Sequence, residues 1–583
     1  MALRHGVGLG LGFLALFAAA PVLAKCEVEQ IAELPVTMVG MRPMVPVKIN
    51  GQDARLIADS GAFYSVISPG AAAQYGLKPY PIPGFYMAGI GGEAALSVAK
   101  VKSVDLAGIQ LHDMEFVVGG SEPGGAGVLG QNVLGFADVE YDLEHGAIRL
   151  MKSKDCYHAN LAYWAGGRPF SMLTIEEHSP QQPHTIATVE LNGVEIRAVF
   201  DTGAATSILS LRAAARAGVK PDSPGVADGG YEGGFGRHVT RTWIAPFASL
   251  KIGGEEIKNT RLRIGDIGDV ADMLIGADFF LSHRVYVANR MRRMFFTYDG
   301  GPVFNITPGK VVDGNGAKLA LPADNAAKPT DAAGFSRRGA AAMARHDLAA
   351  AIDDFGRAIA LAPSEPRYLL QRAVAYARQK QKGKAQADLD AAIKLAPGNV
   401  DARLMRAGLR YQDDRAGALA DLDAAAAAAP QAADERRRIA NLYSGLDAFA
   451  KAIAEDDLWI KYHPDDSRLP VALNERCWDR AMLGVELGKA LDDCDNAIRK
   501  APHTATFLDS RGMVHLRRGE NDKAIRDYDE ALTLDPKIAW SLYGRGLAER
   551  RKGMKAKGDA DIAAAAAIDP KLPVRAKALG IGP

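Results

Sequence analysis

The chain has 583 residues, a length that accommodates three or four domains of ordinary size. Its 48% hydrophobic and 24% charged residues are ordinary for soluble globular protein. A formal net charge of +1 excludes electrostatic capture of nucleic acid or an anionic membrane as the organising theme.

The N-terminus opens on Arg4 and His5, an apolar stretch over residues 7–20, and then Pro21-Val22-Leu23-Ala24. This pattern predicts a signal peptide over residues 1–24, with cleavage before Lys25 and export of the chain. A retained anchor is the alternative, although the apolar run is short for a spanning helix. Cys26 does not make a lipoprotein signal, because Lys25 stands where a small residue is needed. An exported chain meets an oxidising compartment, and the four cysteines are even in number. Cys26 and Cys156 bracket one predicted domain, and Cys477 and Cys494 lie within one helical unit, so two disulfides are compatible with the spacing. Four free thiols are the alternative. No Cys/His spacing indicates zinc, and the 12 histidines form no ligand pattern.

Residues 28–300 alternate apolar and polar positions in Gly-punctuated runs, which predicts strands. An internal duplication runs through them at an offset of 142 residues. Val47-Lys48-Ile49-Asn50-Gly51 corresponds to Val189-Glu190-Leu191-Asn192-Gly193, and Asp59-Ser60-Gly61-Ala62 to Asp201-Thr202-Gly203-Ala204. Ser65-Val66-Ile67-Ser68 corresponds to Ser207-Ile208-Leu209-Ser210. Val128-Leu129-Gly130 then corresponds to Leu274-Ile275-Gly276 at an offset of 146. The expected result is two copies of one all-β lobe, over residues 28–155 and 170–300.

Each copy sends an apolar strand into Asp-[Ser/Thr]-Gly. The strand buries the base of a loop and the carboxylate emerges at its tip. Gly61 and Gly203 permit close approach of a second backbone, and Ser60 and Thr202 supply hydroxyls that can lock two such loops together. One such tripeptide is weak evidence and an ordinary turn explains it; two in matched surroundings are much stronger. The combination resembles the pepsin-like and retroviral (retropepsin-like) aspartic proteases. The resemblance implies that Asp59 and Asp201 are the catalytic pair, with Gly130 and Gly276 supporting their loops. It also implies flaps at Gly89-Ile90-Gly91-Gly92 and at Gly233-Gly234-Phe235-Gly236, for which simple hairpin turns are the alternative, evenly balanced in the second lobe. The implied reaction is peptide hydrolysis by an activated water, with no cofactor or metal. Ser65 and Ser207 have no matched histidine, which removes a serine triad. No long pro-segment separates Lys25 from the first lobe, so zymogen control by that route is not expected.

A Pro-, Gly- and Asn-containing stretch over residues 301–331 is expected to be an irregular linker. Beyond it, prolines recur at 363, 397, 430, 464, 502, 536 and 570, with spacings of 34, 33, 34, 38, 34 and 34. Twelve residues before each of the first six stands an alanine, and bulky residues such as Phe355, Leu389, Leu422, Tyr528 and Ile562 follow by four. This pattern resembles the tetratricopeptide repeat, which implies seven helical-hairpin units over residues 332–570 and a protein or peptide partner. The full expectation is an exported, bacterial periplasmic aspartic endopeptidase. It acts on polypeptide, binds no nucleic acid and keeps no membrane span once its signal is cleaved. Two alternatives stand: lobes that pair between molecules, and a catalytically inactive peptide-binding scaffold acting through its repeats.

Overall fold

The computed structural model describes residues 26–89, 92–120, 125–177, 184–233, 239–268, 271–304, 310–313 and 329–582. The N-terminal region is all β and the C-terminal region is a run of helices. Residues 1–24, expected to form a signal peptide, lie outside the described residues.

The two lobes repeat one topology. In the first, Arg42–Ile49 and Gln52–Ala58 form a hairpin whose connection, Asn50-Gly51, has both residues at positive φ, 50° and 81°. The second lobe reproduces it in Ile186–Leu191 and Val194–Phe200 through Asn192-Gly193, again at 50° and 81°. Two consecutive positive-φ residues match the right-handed strand twist, and Asn-Gly tolerates them at low cost. The second strand of each hairpin runs into the Asp-[Ser/Thr]-Gly tripeptide at its end. A short strand then slots in parallel to it: Gly127–Leu129 beside Gln52–Ala58, and Met273–Ile275 beside Val194–Phe200. The chain returning from the loop pairs antiparallel on that same short strand's other edge.

A third, six-stranded sheet joins the lobes. Its order is Glu27–Pro35, Ala147–Lys154, Asp138–Asp142, His283–Ala288, Arg293–Tyr298, Ser171–Thr174. The central seam pairs Val139 with Val287 and Tyr141 with Val285, one strand from each lobe. The two lobes therefore pair within one chain. Glu140, fully buried at the seam, accepts from Arg149 of the first lobe and, at 2.7 Å, from Arg284 of the second. Cys26 and Cys156 are disulfide-bonded beside the sheet's outer strands.

The stretch expected as an irregular linker is structured in part. Lys310–Asp313 adds a strand to the second lobe, pairing with Glu255–Gly265. Helical hairpins follow from Ala332–Ala344 to Lys555–Ile568, with a terminal helix Leu572–Ala578. Their alanines and bulky residues (Ala351, Ala385, Ala418, Phe355, Leu389, Leu422) are buried between helices. A bidentate Arg–Asp pair ties the two helices of most units: Arg338–Asp354, Arg372–Asp388, Arg406–Asp421, Arg476–Asp493, Arg511–Asp527 and Arg545–Asp561. Cys477 and Cys494 are disulfide-bonded across the fifth hairpin.

The first hairpin shares its core with the lobes. Ala340, Ala341 and Phe355 belong to one apolar cluster with Leu34, Val36 and Val45. Arg345 pairs with Glu144 at 2.7 Å. The solenoid touches the first lobe again at its fourth hairpin, where His463 and the Ala432 carbonyl crowd Gly70.

Candidate active site

The tandem loops meet face to face. The Ser60 amide donates to Thr202 Oγ1 at 3.0 Å, and the Thr202 amide donates to Ser60 Oγ at 2.9 Å. Each hydroxyl then donates across to the strand behind the other loop, Ser60 to the Phe200 carbonyl at 2.8 Å and Thr202 to the Ala58 carbonyl at 2.7 Å. Both side chains are buried, so all four bonds lie in a low-dielectric interior where an unmade bond costs about 1–3 kcal/mol.

This lock places Asp59 and Asp201 against each other. The Gly61 amide holds Asp59 Oδ1 at 2.7 Å, and the Gly203 amide holds Asp201 Oδ1 at 2.8 Å. A Cβ on Gly203 would sit 2.1 Å from Asp59 Cγ, and one on Gly61 would sit 2.3 Å from Asp201 Cγ. Each glycine thus makes room for the carboxylate of the opposite loop. The two carboxyl groups therefore face each other across the paired loops. Burial and the neighbouring Asp201 carboxyl push Asp59 well above the usual carboxylate range. Two carboxylates seated against each other in this way disfavour simultaneous ionisation. Both aspartates remain half-buried, open enough for a water or substrate to reach them.

Gly130 and Gly276 sit where the inserted strands end beneath the loops. A Cβ on Gly130 would meet the Tyr64 carbonyl oxygen at 2.6 Å, and one on Gly276 the Ala204 carbonyl oxygen at 2.7 Å. The backbones approach closely enough for Asp59 N–H to donate to Leu129 and Asp201 N–H to Ile275. Of the flap residues, Gly89 pairs with Gly92 at the end of a hairpin, while Ile90 and Gly91 lie outside the described residues. Gly233 pairs with Val239; Gly234, Phe235 and Gly236 lie outside them too.

Several supporting residues escaped the sequence reading. Gln131 Nε2 donates to the Ser60 carbonyl at 2.9 Å. Ser65 donates its amide and hydroxyl to Asn132, and Ser207 does the same to Asp278. Asn132 and Asp278 stand at the same 146-residue offset as the loop-supporting glycines, a signal that extending the duplication by two residues would have exposed. Burial raises Asp278 to about 6. His184 Nε2 is 2.7 Å from the Gly61 carbonyl oxygen, and its ring lies 4.2 Å from that of Phe63. No motif marked it, because its contact crosses between lobes. Among the described residues no group of three His, Cys, Asp or Glu could hold a metal ion.

The family model described as aspartyl protease matches the chain twice, at residues 45–133 and 187–279. Models of the tetratricopeptide repeat match residues 366–399 and 505–538. The chain thus carries two tandem lobes of the aspartyl-protease type ahead of a tetratricopeptide-repeat solenoid. Among solved structures, a tetratricopeptide repeat protein from Parabacteroides merdae is 16% identical, with 42% of this chain and 96% of that one covered and a TM-score of 0.33. YrrB, a tetratricopeptide repeat protein with an unusual peptide-binding site, is 16% identical, with coverages of 38% and 96% and a TM-score of 0.22. No curated protein matches significantly.

Proposed function

We propose that this protein is an aspartic endopeptidase in which Asp59 and Asp201 act as one dyad. The observation that carries this reading is the mutual lock of Ser60 and Thr202, which seats each carboxylate against the glycine of the opposite loop. The ionised member takes a proton from a bound water as it attacks the scissile carbonyl. The protonated member donates to that carbonyl oxygen, and a proton is then passed to the leaving amine. The two titrations belong to the pair, and acid and base are not assigned to single residues. An extended polypeptide binds across the lobes as an added strand beneath the paired hairpins. The solenoid recruits protein or peptide partners. Export to the bacterial periplasm is supported by the N-terminal signal pattern and by two disulfides, which persist in oxidising compartments.

The test uses the purified chain with casein and a random fluorogenic peptide pool. Asp59→Asn and Asp201→Asn should each lower cleavage on the order of 10³-fold or more. A peptide mimic bearing a tetrahedral hydroxyl should inhibit the parent. Cleavage that survives in both variants would remove the assignment, and an inert parent that still binds peptide would favour the scaffold.

A further inference from the structure

The solenoid breaks its own pattern once. Four residues after the small residue of each hairpin comes the side chain that fills the groove between the two helices: Phe355, Leu389, Leu422, then Asp456, Cys494, Tyr528 and Ile562. In the fourth hairpin that core position is an aspartate. Asp456 is 1% exposed, and neither of its carboxylate oxygens has a hydrogen-bond partner among the described residues. The Arg–Asp tie of the other hairpins is also altered here, Glu455 pairing instead with Arg436.

The surroundings of Asp456 are acidic. Its neighbours along its own helix, Phe449–Tyr462, are Glu455, paired with Arg436, and Asp457, paired with Arg476. The next hairpin's first helix, Leu469–Leu483, presents Glu475 and Asp479. Oδ2 of Asp479 and Oδ1 of buried Asn474 have no partner among the described residues. The nearby cations have other carboxylate partners, Arg437 with Glu475, Arg476 with Asp493 and Asp457, and Arg480 with Asp493. Arg437 and Arg476 oppose the acids' effect on Asp456 only in part, and Nε of Arg437 has no hydrogen-bond partner among the described residues. Burial and the Glu475 and Asp479 charges push Asp456 well above the ordinary range, and Asp479 is raised to about 7. A neutral acid suits this site; an ionised one does not.

We infer that Asp456 makes the contact between the fourth and fifth hairpins a proton-operated joint: closed while its carboxyl is protonated, opening when it ionises. The joint divides the molecule at a meaningful place. Hairpins before it rest on the first lobe through Arg345 and His463. The fifth hairpin beyond it is stapled internally by Cys477–Cys494 and so moves as a unit. A cavity of about 610 Å³ is lined from both sides, by Tyr411, Asn441 and Ser444 before the joint and by Trp478, Trp540 and Arg575 after it. Asn441 and Ser444 also bond Glu475 and Asp479 across the joint. Ionisation at Asp456 therefore bears directly on the shape of that cavity. This inference is independent of whether the dyad cleaves peptides.

Hydrogen exchange on the full-length oxidised chain between pH 5 and 8, corrected for intrinsic rates, tests it. The raised acid binds its proton in the closed state and loses it in the open one, so the opening constant rises with pH. For the helices Phe449–Tyr462 and Leu469–Leu483, Asp456 should contribute about tenfold per pH unit over the range where the closed form alone holds the proton. Asp456→Asn should remove that contribution while leaving the one from Asp479. Asp456→Leu, which installs the residue of the second and third hairpins, should do the same and raise protection at pH 8. An unchanged pH slope in either variant, or no slope in the parent, would overturn the joint.

Discussion

Asp278 and Asn132 perform one structural task with different chemistry. Both accept the amide and hydroxyl of the serine that follows the Asp-[Ser/Thr]-Gly loop. Asn132 does so uncharged. Asp278 is fully enclosed and its carboxyl is raised to about 6 from 3.8. A raised native pKa means that stability is fully present below the unfolded value and is lost as pH rises through the folded one. The difference of roughly two units corresponds to about 3 kcal/mol lost between pH 4 and pH 7. Asp278→Asn should abolish this loss while keeping the Ser207 bonds. Urea titrations of the lobe transition at pH 4.5 and 7 measure it; equal pH dependence in parent and variant contradicts the account.

Thr202 Oγ1 accepts the Ser60 amide and donates to the Ala58 carbonyl, and no water can replace it inside the interface. Thr202→Val keeps the shape and orphans both backbone groups. The expected cost is on the order of 3 kcal/mol, with a loss of cleavage because the two aspartates lose their common frame. Thr202→Ser retains the hydroxyl and should restore both. Thermal unfolding and peptide turnover on the same three proteins check this. A Val variant as stable as the parent would show that the lock does not hold the loops. The strands behind them contribute through burial: Leu56, Ala58, Ala198 and Phe200 are all fully enclosed. Phe200→Ala should cost about 3–5 kcal/mol through the cavity it leaves, read as a fall in the urea midpoint.

For the whole molecule, Glu140 is a tie between the two lobes. It lies at the seam between the lobes and satisfies arginines contributed by each. Glu140→Ala leaves Arg149 and Arg284 without it in a largely enclosed site, at an expected cost of about 3 kcal/mol. Because the seam joins the lobes, the loss should separate their unfolding into two transitions in calorimetry. One undivided lobe transition at the parental temperature would contradict this. The solenoid is packed on the same body through the shared core of its first hairpin.

Much of this architecture was legible in the residues. The proline period dictated helical hairpins, because each proline ends a helix and each alanine marks a close approach. The 142-residue duplication dictated two equivalent lobes, and Asp59, Ser60 and Gly61 with Asp201, Thr202 and Gly203 named the site. These features are local: they follow from periodicity and from backbone demands within a few residues. Tertiary structure alone decided that the lobes pair in one chain, because the Asp138–Asp142 and His283–Ala288 strands are brought together by register and not by sequence proximity. It alone turned two separate glycines into seats for opposite carboxylates, and part of a presumed linker into the strand Lys310–Asp313. It also gave Asp456 its meaning, since an aspartate in a helix is unremarkable until burial leaves it with no partner among the described residues.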